Sequence, residues 1–411
     1  MKYLIIVPDG CADRPIPSLD GRTPLEAVGL EYINELAKVS ETGMVKTIPD
    51  GIPPGSDAAN LSVMGFDPSV YLTGRSPLEA VSMGIEMSDT DVAFRTNLVT
   101  LEGDGAYDEL IIKDHSSGDI SSEESRILIE LIEKELGGGD IHFYPGVSYR
   151  HAMIVNDGRV DYDTTPPHDV LTQRVGGNLP KGEGAERIEQ LMRKSYDILR
   201  DHPVNRARVE KGLNPANSIW IWGQGKKPKL PSFYDKYGIE GAVISAVDLI
   251  KGIGLCAGLR ARMIPGATGT LLTNFRGKAD GAIEEFKSGR DFVYIHIEAP
   301  DECSHQGDLN GKLESLEKTD KEVFKPVFEY LQGTGEAFKI LIVPDHRTPI
   351  EIRTHSSEPV PFVLYESENA LPRDEDKAFS ESSGSKGTYY DSGCALAERF
   401  FGSMNHGGNN Q

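Results

Sequence analysis

The chain has 411 residues, which is enough for one large α/β domain together with a smaller domain. Its formal net charge of -21 disfavours binding to nucleic acid and to anionic membranes, because both need clustered lysines and arginines. No apolar segment approaches the roughly 20 residues of a membrane span, and the four cysteines lack C-x-x-C spacing. We therefore expect a cytoplasmic protein without nucleic acid or membrane partners, and its oligomeric state stays open.

Short apolar runs predict buried parallel strands near both ends of the chain, at 3–7, 292–297 and 338–343. Each run is followed within a few residues by a carboxylate, namely Asp9, Asp301 and Asp345. Ligands of open α/β sheets bind at the carboxyl edge of the strands. We therefore expect these three carboxylates to meet at one edge of a mostly parallel sheet.

Amphipathic patterns predict helices at 123–136, 183–199 and 313–331. From about 91 to 172 the pattern changes, with strand signals at 94–101, 141–143 and 151–155 around a single helix. We predict an α+β insert domain over 91–179, carried by a core that is formed from 1–90 and 180–411. Small and polar residues at 380–386 and 407–411 predict loops or frayed ends.

Carboxylates and imidazoles cluster in sequence around the predicted strand ends, at Asp9, Asp301, His305, Asp345, His346 and His355. Such a set without a thiolate suits divalent ions such as manganese, zinc or magnesium. One such residue alone is more often a helix cap or a turn residue. The D-x-x-x-H spacing from Asp301 and the D-H-x(8)-H spacing from Asp345 together favour a site for two metal ions.

Ser56 follows Gly55 at what the pattern predicts to be the start of a helix. Its hydroxyl would lie at the positive end of the helix dipole, where an alkoxide could attack phosphorus. Taken alone, a serine at this place would be a helix cap. The candidate metal ligands elsewhere in the sequence favour the interpretation of Ser56 as a nucleophile over that of a helix cap.

Several motifs carry a specific resemblance that extends over most of the chain. They are PDG at 8–10, PGSDAANLSVMGFDP at 54–68, GRSPLEA at 74–80, APDECSHQGD at 299–308, PDH at 344–346 and THS at 354–356. In these segments the chain resembles the archaeal type of cofactor-independent phosphoglycerate mutases, in the alkaline phosphatase superfamily. The resemblance implies an α/β fold: an alkaline-phosphatase-like core with a mostly parallel sheet flanked by helices, plus a smaller α+β insert domain.

The resemblance also implies which residues hold the cofactors, two divalent metal ions with manganese favoured and zinc, magnesium and cobalt as alternatives. One ion would be held by Asp301, His305 and His355, and the second by Asp9, Asp345, His346 and the bridging hydroxyl of Ser56. Ser56 would take the phosphoryl group as phosphoserine. The implied reaction is the interconversion of 3-phosphoglycerate and 2-phosphoglycerate in glycolysis and gluconeogenesis, without 2,3-bisphosphoglycerate.

The partner would be a small phosphorylated hydroxy acid, and motif matches suggest which residues bind it. The candidates are Arg150, His151, His115, His168, Asp169 and Lys251. Arg150 would clamp a carboxylate or phosphate, Asp169 or His115 would move protons, and Lys251 would reach the phosphate. The alternative for each is an ordinary structural role, which for Lys251 would be that of a solvated lysine at a strand end.

Three alternatives to the mutase function stay open at this point. A bacterial branch of the same family has been proposed to act as a homoserine kinase in threonine synthesis, and the segment KDHSSGDISSEES at 113–125 resembles that branch equally well. No P-loop is present, since GATGT at 266–270 lacks the G-x-x-x-x-G-K-[ST] pattern, so ATP would have to donate through phosphoserine. The second function is that of a phosphatase or phosphonate hydrolase, and the third is that of an inactive binding protein.

Overall fold

The computed structural model describes residues 1–402, which divide into two compact units. The first consists of Met1–Leu72 and the chain from Lys229 onward, and the second is Thr73–Pro228. The strands of the described chain are β1 (Lys2–Pro8), β2 (Glu41–Val45), β3 (Val92–Glu102), β4 (Ile111–Asp114), β5 (Ile141–Val147), β6 (Arg150–Val155), β7 (Ser218–Lys226), β8 (Gly241–Ile244), β9 (Arg260–Ala261), β10 (Phe292–Ile297), β11 (Phe338–Ile342), β12 (Val360–Glu366) and β13 (Thr388–Tyr390).

The α-helices of the described chain are α1 (Pro24–Ala27), α2 (Glu31–Ala37), α3 (Ser56–Val63), α4 (Pro68–Tyr71), α5 (Ser76–Ser82), α6 (Ser122–Leu136), α7 (Ala185–Leu199), α8 (Pro203–Glu210), α9 (Phe233–Tyr237), α10 (Asp248–Cys256), α11 (Phe275–Lys287), α12 (Ala299–Gln306), α13 (Leu309–Lys318), α14 (Lys325–Thr334), α15 (Glu381–Gly384) and α16 (Gly393–Phe401). None of them is long and apolar enough to cross a membrane.

An eight-stranded sheet in the order β13-β2-β12-β11-β1-β10-β8-β9 forms the centre of the first unit. β1 lies between β10 and β11 and is parallel to both, as the three apolar runs predict. Only β12 runs antiparallel to its neighbours, β11 and β2. This arrangement confirms the α/β fold class with a mostly parallel sheet.

Both faces of this sheet are buried, which explains why its central strands read as continuous apolar runs. Leu4 and Ile6 of β1 belong to one core cluster, together with side chains of α2, α11 and α14. Ile5 and Val7, which alternate with them, are equally buried. The central strands are therefore packed on both faces up to their ends, and this packing positions the residues that follow them.

The predicted helix at 313–331 is interrupted in its hydrogen bonding. α13 passes into a π-helical segment, Thr319–Phe324, before α14 begins. Pro326 lies in the first turn of α14 and has no amide hydrogen to donate to the preceding turn. Asp320 of the π segment accepts hydrogen bonds from the amides of Tyr32 and Ile33, at 3.1 and 2.8 Å.

The second unit contains a five-stranded antiparallel sheet formed by β3 to β7. The predicted strands at 94–101, 141–143 and 151–155 are parts of β3, β5 and β6, and the predicted helices are α6 and α7. The insert predicted at 91–179 lies inside this unit, which extends further on both sides. The extension at the C-terminal side has a clear cause, because β7 pairs with β3 and α7 packs on β7.

The prediction of a loop or frayed end at 380–386 was wrong. α15 forms there, and its Glu381 is buried, accepting hydrogen bonds from the amide of Asp13 (2.9 Å) and the hydroxyl of Thr23 (2.6 Å). These contacts with the N-terminal part of the chain are invisible in the local composition. The second such prediction, at 407–411, lies outside the described residues.

Candidate functional site

Asp9, Asp345 and His346 form one cluster at the carboxyl edge of the central strands. Asp9 directly follows β1, and the other two follow β11, which is the neighbour of β1 in the sheet. Nε2 of His346 lies 3.4 Å from Oδ2 of Asp345 and 3.6 Å from Oδ1 of Asp9. All three side chains are buried, so these groups face one another away from solvent.

Asp301, His305 and His355 form a second cluster. The first two lie one turn apart on α12, and Nε2 of His305 is 3.1 Å from Oδ2 of Asp301. His355 comes from the loop after β11, with its Nε2 3.1 Å from that of His305 and 3.5 Å from Oδ1 of Asp301. His346 has ligand atoms close enough to belong to either cluster. The two predicted ligand sets are therefore adjacent.

Ser56 is the first residue of α3, with Gly55 in extended conformation before it. Its Oγ lies 3.1 Å from Nε2 of His346. Asn60, one turn further along α3, donates hydrogen bonds to the Ser56 carbonyl (2.8 Å) and to Oδ2 of Asp345 (2.9 Å). The serine hydroxyl thus combines a helix N-terminus with direct contact to the carboxylate and imidazole cluster.

The imidazoles of the second cluster are oriented by backbone carbonyls. Nδ1 of His305 lies 2.9 Å from the carbonyl oxygen of Arg353, and Nδ1 of His355 lies 3.4 Å from that of Pro54. A carbonyl can only accept, so each Nδ1 carries a proton, and Nε2 is the ring nitrogen that faces the cluster and would bind a metal ion. This is the arrangement by which outer hydrogen bonds prepare histidines as metal ligands.

The titration behaviour of the site reflects closely spaced buried charges. Burial raises the pKa of Asp9 well above its usual value, and the nearby carboxylates of Asp345 and Asp301 raise it further. Burial also opposes ionisation of Asp301, but hydrogen bonds from His305 and His355 outweigh it and lower that pKa. The hydrogen bond to Asp301 raises the pKa of His305 to about 9.

The donor set fits divalent cations. Three buried carboxylates converge at one place, and Oδ1 of Asp9 has no hydrogen-bond partner although it is buried. Buried ionised carboxylates that lack partners are strongly unfavourable unless a cation compensates them. Oxygen and imidazole nitrogen donors without thiolate match ions such as manganese, zinc and magnesium.

His296 and Asn60 are parts of the site to which the sequence analysis assigned no role. His296 is 1% exposed, with Nε2 3.1 Å from Oδ2 of Asp9 and Nδ1 3.3 Å from Oγ of Ser245. Asn60 also accepts a hydrogen bond from the hydroxyl of Tyr294. The spacing of four residues from Ser56 was an available signal for Asn60, because i and i+4 share a helix face.

Four of the six predicted substrate residues lie together in the second unit. The rings of His115 and His168 are 6.0 Å apart, and that of His168 is 5.5 Å from Trp222. His168 also lies 3.7 Å from the carboxylate of Asp169. Arg150 stacks on Tyr149, whose ring in turn lies 5.7 Å from that of His115. We call Arg150, His115, His168 and Asp169, together with Tyr149 and Trp222, the insert cluster.

The other two predicted substrate residues lie elsewhere. His151 is buried and follows Arg150 on β6, so its side chain points to the opposite face of the strand. Its Nδ1 accepts a hydrogen bond from the amide of Gly146, and burial lowers its pKa to about 3. Lys251 belongs to α10 of the first unit and forms a 2.7 Å ion pair with Asp248. The alternative of a solvated lysine at a strand end was therefore wrong.

Comparisons with known proteins give the family. A family model for 2,3-bisphosphoglycerate-independent phosphoglycerate mutase matches residues 37–205. A protein of that name from Methanosarcina barkeri is 48% identical, over 94% of this chain and 96% of the relative. The chain belongs to the 2,3-bisphosphoglycerate-independent phosphoglycerate mutase family. A relative from Geobacter sulfurreducens, named as a probable enzyme of this kind, is 46% identical, over 97% of this chain and 99% of its own length.

Solved structures agree with this family assignment. The cofactor-independent phosphoglycerate mutase of Thermoplasma acidophilum covers 97% of this chain and 99% of its own, with a TM-score of 0.66 and 26% identity. A protein from Pyrococcus horikoshii reaches a TM-score of 0.81 at 29% identity, covering 97% of this chain and 96% of its own. The resemblance found in the sequence motifs is thereby confirmed. The comparisons give no support to the homoserine kinase alternative.

Proposed function

We propose that the chain is a phosphoglycerate mutase that converts 3-phosphoglycerate and 2-phosphoglycerate into each other by way of phosphoserine at Ser56. The observation that carries this proposal is the position of the Ser56 hydroxyl, at a helix N-terminus and 3.1 Å from His346 in the carboxylate and imidazole cluster. Without a hydroxyl beside it, the same set of metal ligands would fit a structural or metal-storage site as well as it fits a catalytic site. The serine adds the group that accepts a phosphoryl.

In the proposed reaction, Oγ of Ser56 forms a bond to phosphorus and loses its proton, while the bond from phosphorus to the 3-oxygen of the substrate breaks. The released 3-oxygen takes up a proton, giving glycerate. The 2-hydroxyl of the same glycerate then forms a bond to phosphorus and loses its proton, while the bond from phosphorus to Oγ of Ser56 breaks and Oγ takes up a proton. The phosphoryl group returns to the same glycerate, so no external phosphoryl donor is consumed. The same steps in reverse order convert 2-phosphoglycerate into 3-phosphoglycerate.

The family implies divalent metal binding, and we propose two ions with manganese as the favoured metal. Asp9, Asp345 and His346 would hold one ion beside Ser56, and the second cluster defined above would hold the other. Bound divalent ions would supply charge that lowers the pKa of the serine hydroxyl and neutralises the phosphoryl oxygens. Asn60 would hold the backbone of Ser56 beside this ion, because its side-chain amide donates to both the Ser56 carbonyl and Asp345.

We further propose that the insert cluster binds the glycerate part of the substrate. Arg150 offers the planar, charged donor that suits a carboxylate, and it is exposed at the start of β6. His115 and Asp169 are the candidates for proton transfer with the glycerate hydroxyls. Retention of the glycerate is what would distinguish a mutase from a phosphatase, since water would otherwise hydrolyse the phosphoserine.

We also propose that the enzyme works in the cytoplasm. Cys11 and Cys303 are buried free thiols, and burial raises the pKa of Cys11 well above its usual value. Thiols in that state suit packing in a reducing compartment.

The test is a comparison of donors and acceptors with purified, manganese-loaded protein. We expect 3-phosphoglycerate to yield 2-phosphoglycerate without added 2,3-bisphosphoglycerate, and Ser56→Ala to abolish this activity while keeping the far-UV circular dichroism spectrum of the wild type. Phosphohomoserine formed from homoserine and ATP would instead make the chain a kinase. Inorganic phosphate released as the main product would make it a phosphatase.

A further inference from the structure

Thr348 contacts one residue of each metal-ligand cluster, although it belongs to neither predicted ligand set. It is completely buried in the loop after β11, two residues beyond His346. Its Oγ1 donates a hydrogen bond to Oδ1 of Asp301 and lies 3.2 Å from Nδ1 of His346. One hydroxyl therefore bridges the two clusters.

The directions of these two hydrogen bonds follow from the number of protons available. A hydroxyl has one proton to donate. The carboxylate of Asp301 must be ionised in order to bind a metal, and an ionised carboxylate only accepts. Since the proton of Thr348 is used on Asp301, the contact with His346 requires Nδ1 of the imidazole to be the donor.

We propose that Thr348 is a positioning residue that holds the proton of His346 on Nδ1, so that the Nε2 lone pair faces Ser56. The same role falls to backbone carbonyls at His305 and His355, whereas His346 has this side chain instead. Because Thr348 also orients Asp301, the shape of one cluster depends on the other. This inference rests on the proposed two-metal site.

Thr348 is itself held firmly. Its carbonyl accepts a 3.0 Å hydrogen bond from Nζ of Lys312, which is completely buried and paired with Asp13 at 2.7 Å. Its amide donates to the carbonyl of Ala12 at 3.3 Å. Close packing adds to this, because a β-carbon at Gly10, whose φ is +61°, would collide with Oγ1 of Thr348. These contacts fix the backbone position from which the Thr348 hydroxyl reaches its two partners.

The direct test is the protonation state of His346 in metal-free protein, measured by long-range ¹H–¹⁵N NMR of the histidine rings. His346→Gln identifies the signal. At a pH where the ring is neutral, we expect the wild type and Thr348→Ser to carry the proton on Nδ1. Thr348→Val has nearly the same volume but no hydroxyl, and we expect its His346 to shift the proton toward Nε2.

A second measurement links the tautomer to metal binding without using turnover. In calorimetric titration with Mn²⁺, we expect Thr348→Val to weaken binding by about 10- to 100-fold and Thr348→Ser to restore most of it, in line with the usual effect of outer hydrogen bonds. Unchanged Nδ1 protonation in Thr348→Val, or Nε2 protonation in the wild type, would overturn the inference. If the tautomer behaves as expected but no mutase activity is found, only the proposed function fails.

Discussion

Lys312 offers a strong test of how the loop after β11 is stabilised. Its ammonium group and the carboxylate of Asp13 form a 2.7 Å pair whose side chains are 0% and 2% exposed. Lys312→Met keeps most of the volume and leaves Asp13 as a buried charge without its partner. Such losses cost about 3 to 5 kcal/mol, and the unpaired carbonyl of Thr348 adds about 1 kcal/mol.

The double variant Asp13→Asn with Lys312→Met separates the charge effect from the packing effect. The Asp13 carboxylate accepts amide hydrogen bonds from Arg14 at 2.8 Å and from Ile350 at 3.2 Å. Asparagine can keep one of the two and carries no charge. We therefore expect the double variant to recover more than half of the stability that Lys312→Met loses. A simple steric or volume effect would make the double variant at least as unstable as the single one.

The assay is urea unfolding of the metal-free proteins followed by far-UV circular dichroism. With a urea dependence of about 3 kcal/mol per molar for a unit of this size, a loss of about 4 to 6 kcal/mol should lower the midpoint of Lys312→Met by roughly 1.3 to 2 M. NMR of the His346 ring in the same variant would report any accompanying change of its tautomer. An unchanged midpoint in Lys312→Met, or additive losses in the double variant, would refute this reasoning.

Three further predictions concern the site. Gly10→Ala should weaken Mn²⁺ binding more than 10-fold by calorimetry while preserving the far-UV spectrum, because the new β-carbon would lie 2.6 Å from Oδ1 of Asp301; near wild-type affinity would contradict this. The pKa of His305 is raised from 6.5 to about 9 by its hydrogen bond to Asp301, so the pair stabilises metal-free protein below pH 6.5. That contribution is lost as the pH rises toward 9. His305→Gln should therefore make the thermal midpoint less dependent on pH between 6.5 and 9. An equal slope in the wild type and the variant would show that the pair does not contribute. Arg150→Ala should raise the KM for 3-phosphoglycerate about 10- to 100-fold at unchanged Mn²⁺ affinity, with partial recovery in Arg150→Lys; an unchanged KM would remove Arg150 from the substrate site.

The parts of the site that could be predicted from sequence follow from local rules. An apolar run that ends in a polar turn predicts a buried strand, and parallel strands expose their carboxyl ends at one edge. That reasoning brought Asp9, Asp301 and Asp345 together although the chain between Asp9 and Asp301 is nearly 300 residues long. The family resemblance supplied the pairing into two ligand sets, which local rules alone left open.

The supporting residues were missed because their partners are remote in sequence. Asn60 and Asp345 are separated by 285 positions, and the hydroxyl of Thr348 meets a carboxylate 47 positions away. Polar residues of this kind look like ordinary turn or helix residues until the tertiary contacts are known. For the same reason the predicted insert at 91–179 does not include β7, because β7 pairs with residues of β3 more than 100 positions away.

The central claim is that Ser56 carries the phosphoryl group during turnover. The most direct measurement is acid quenching of the manganese-loaded enzyme during reaction with 3-phosphoglycerate labelled with ³²P, followed by peptide mapping. We predict label on the peptide that contains Ser56 and none in Ser56→Ala, which should also form no 2-phosphoglycerate. Formation of 2-phosphoglycerate by Ser56→Ala, or label on a different residue, would contradict the account.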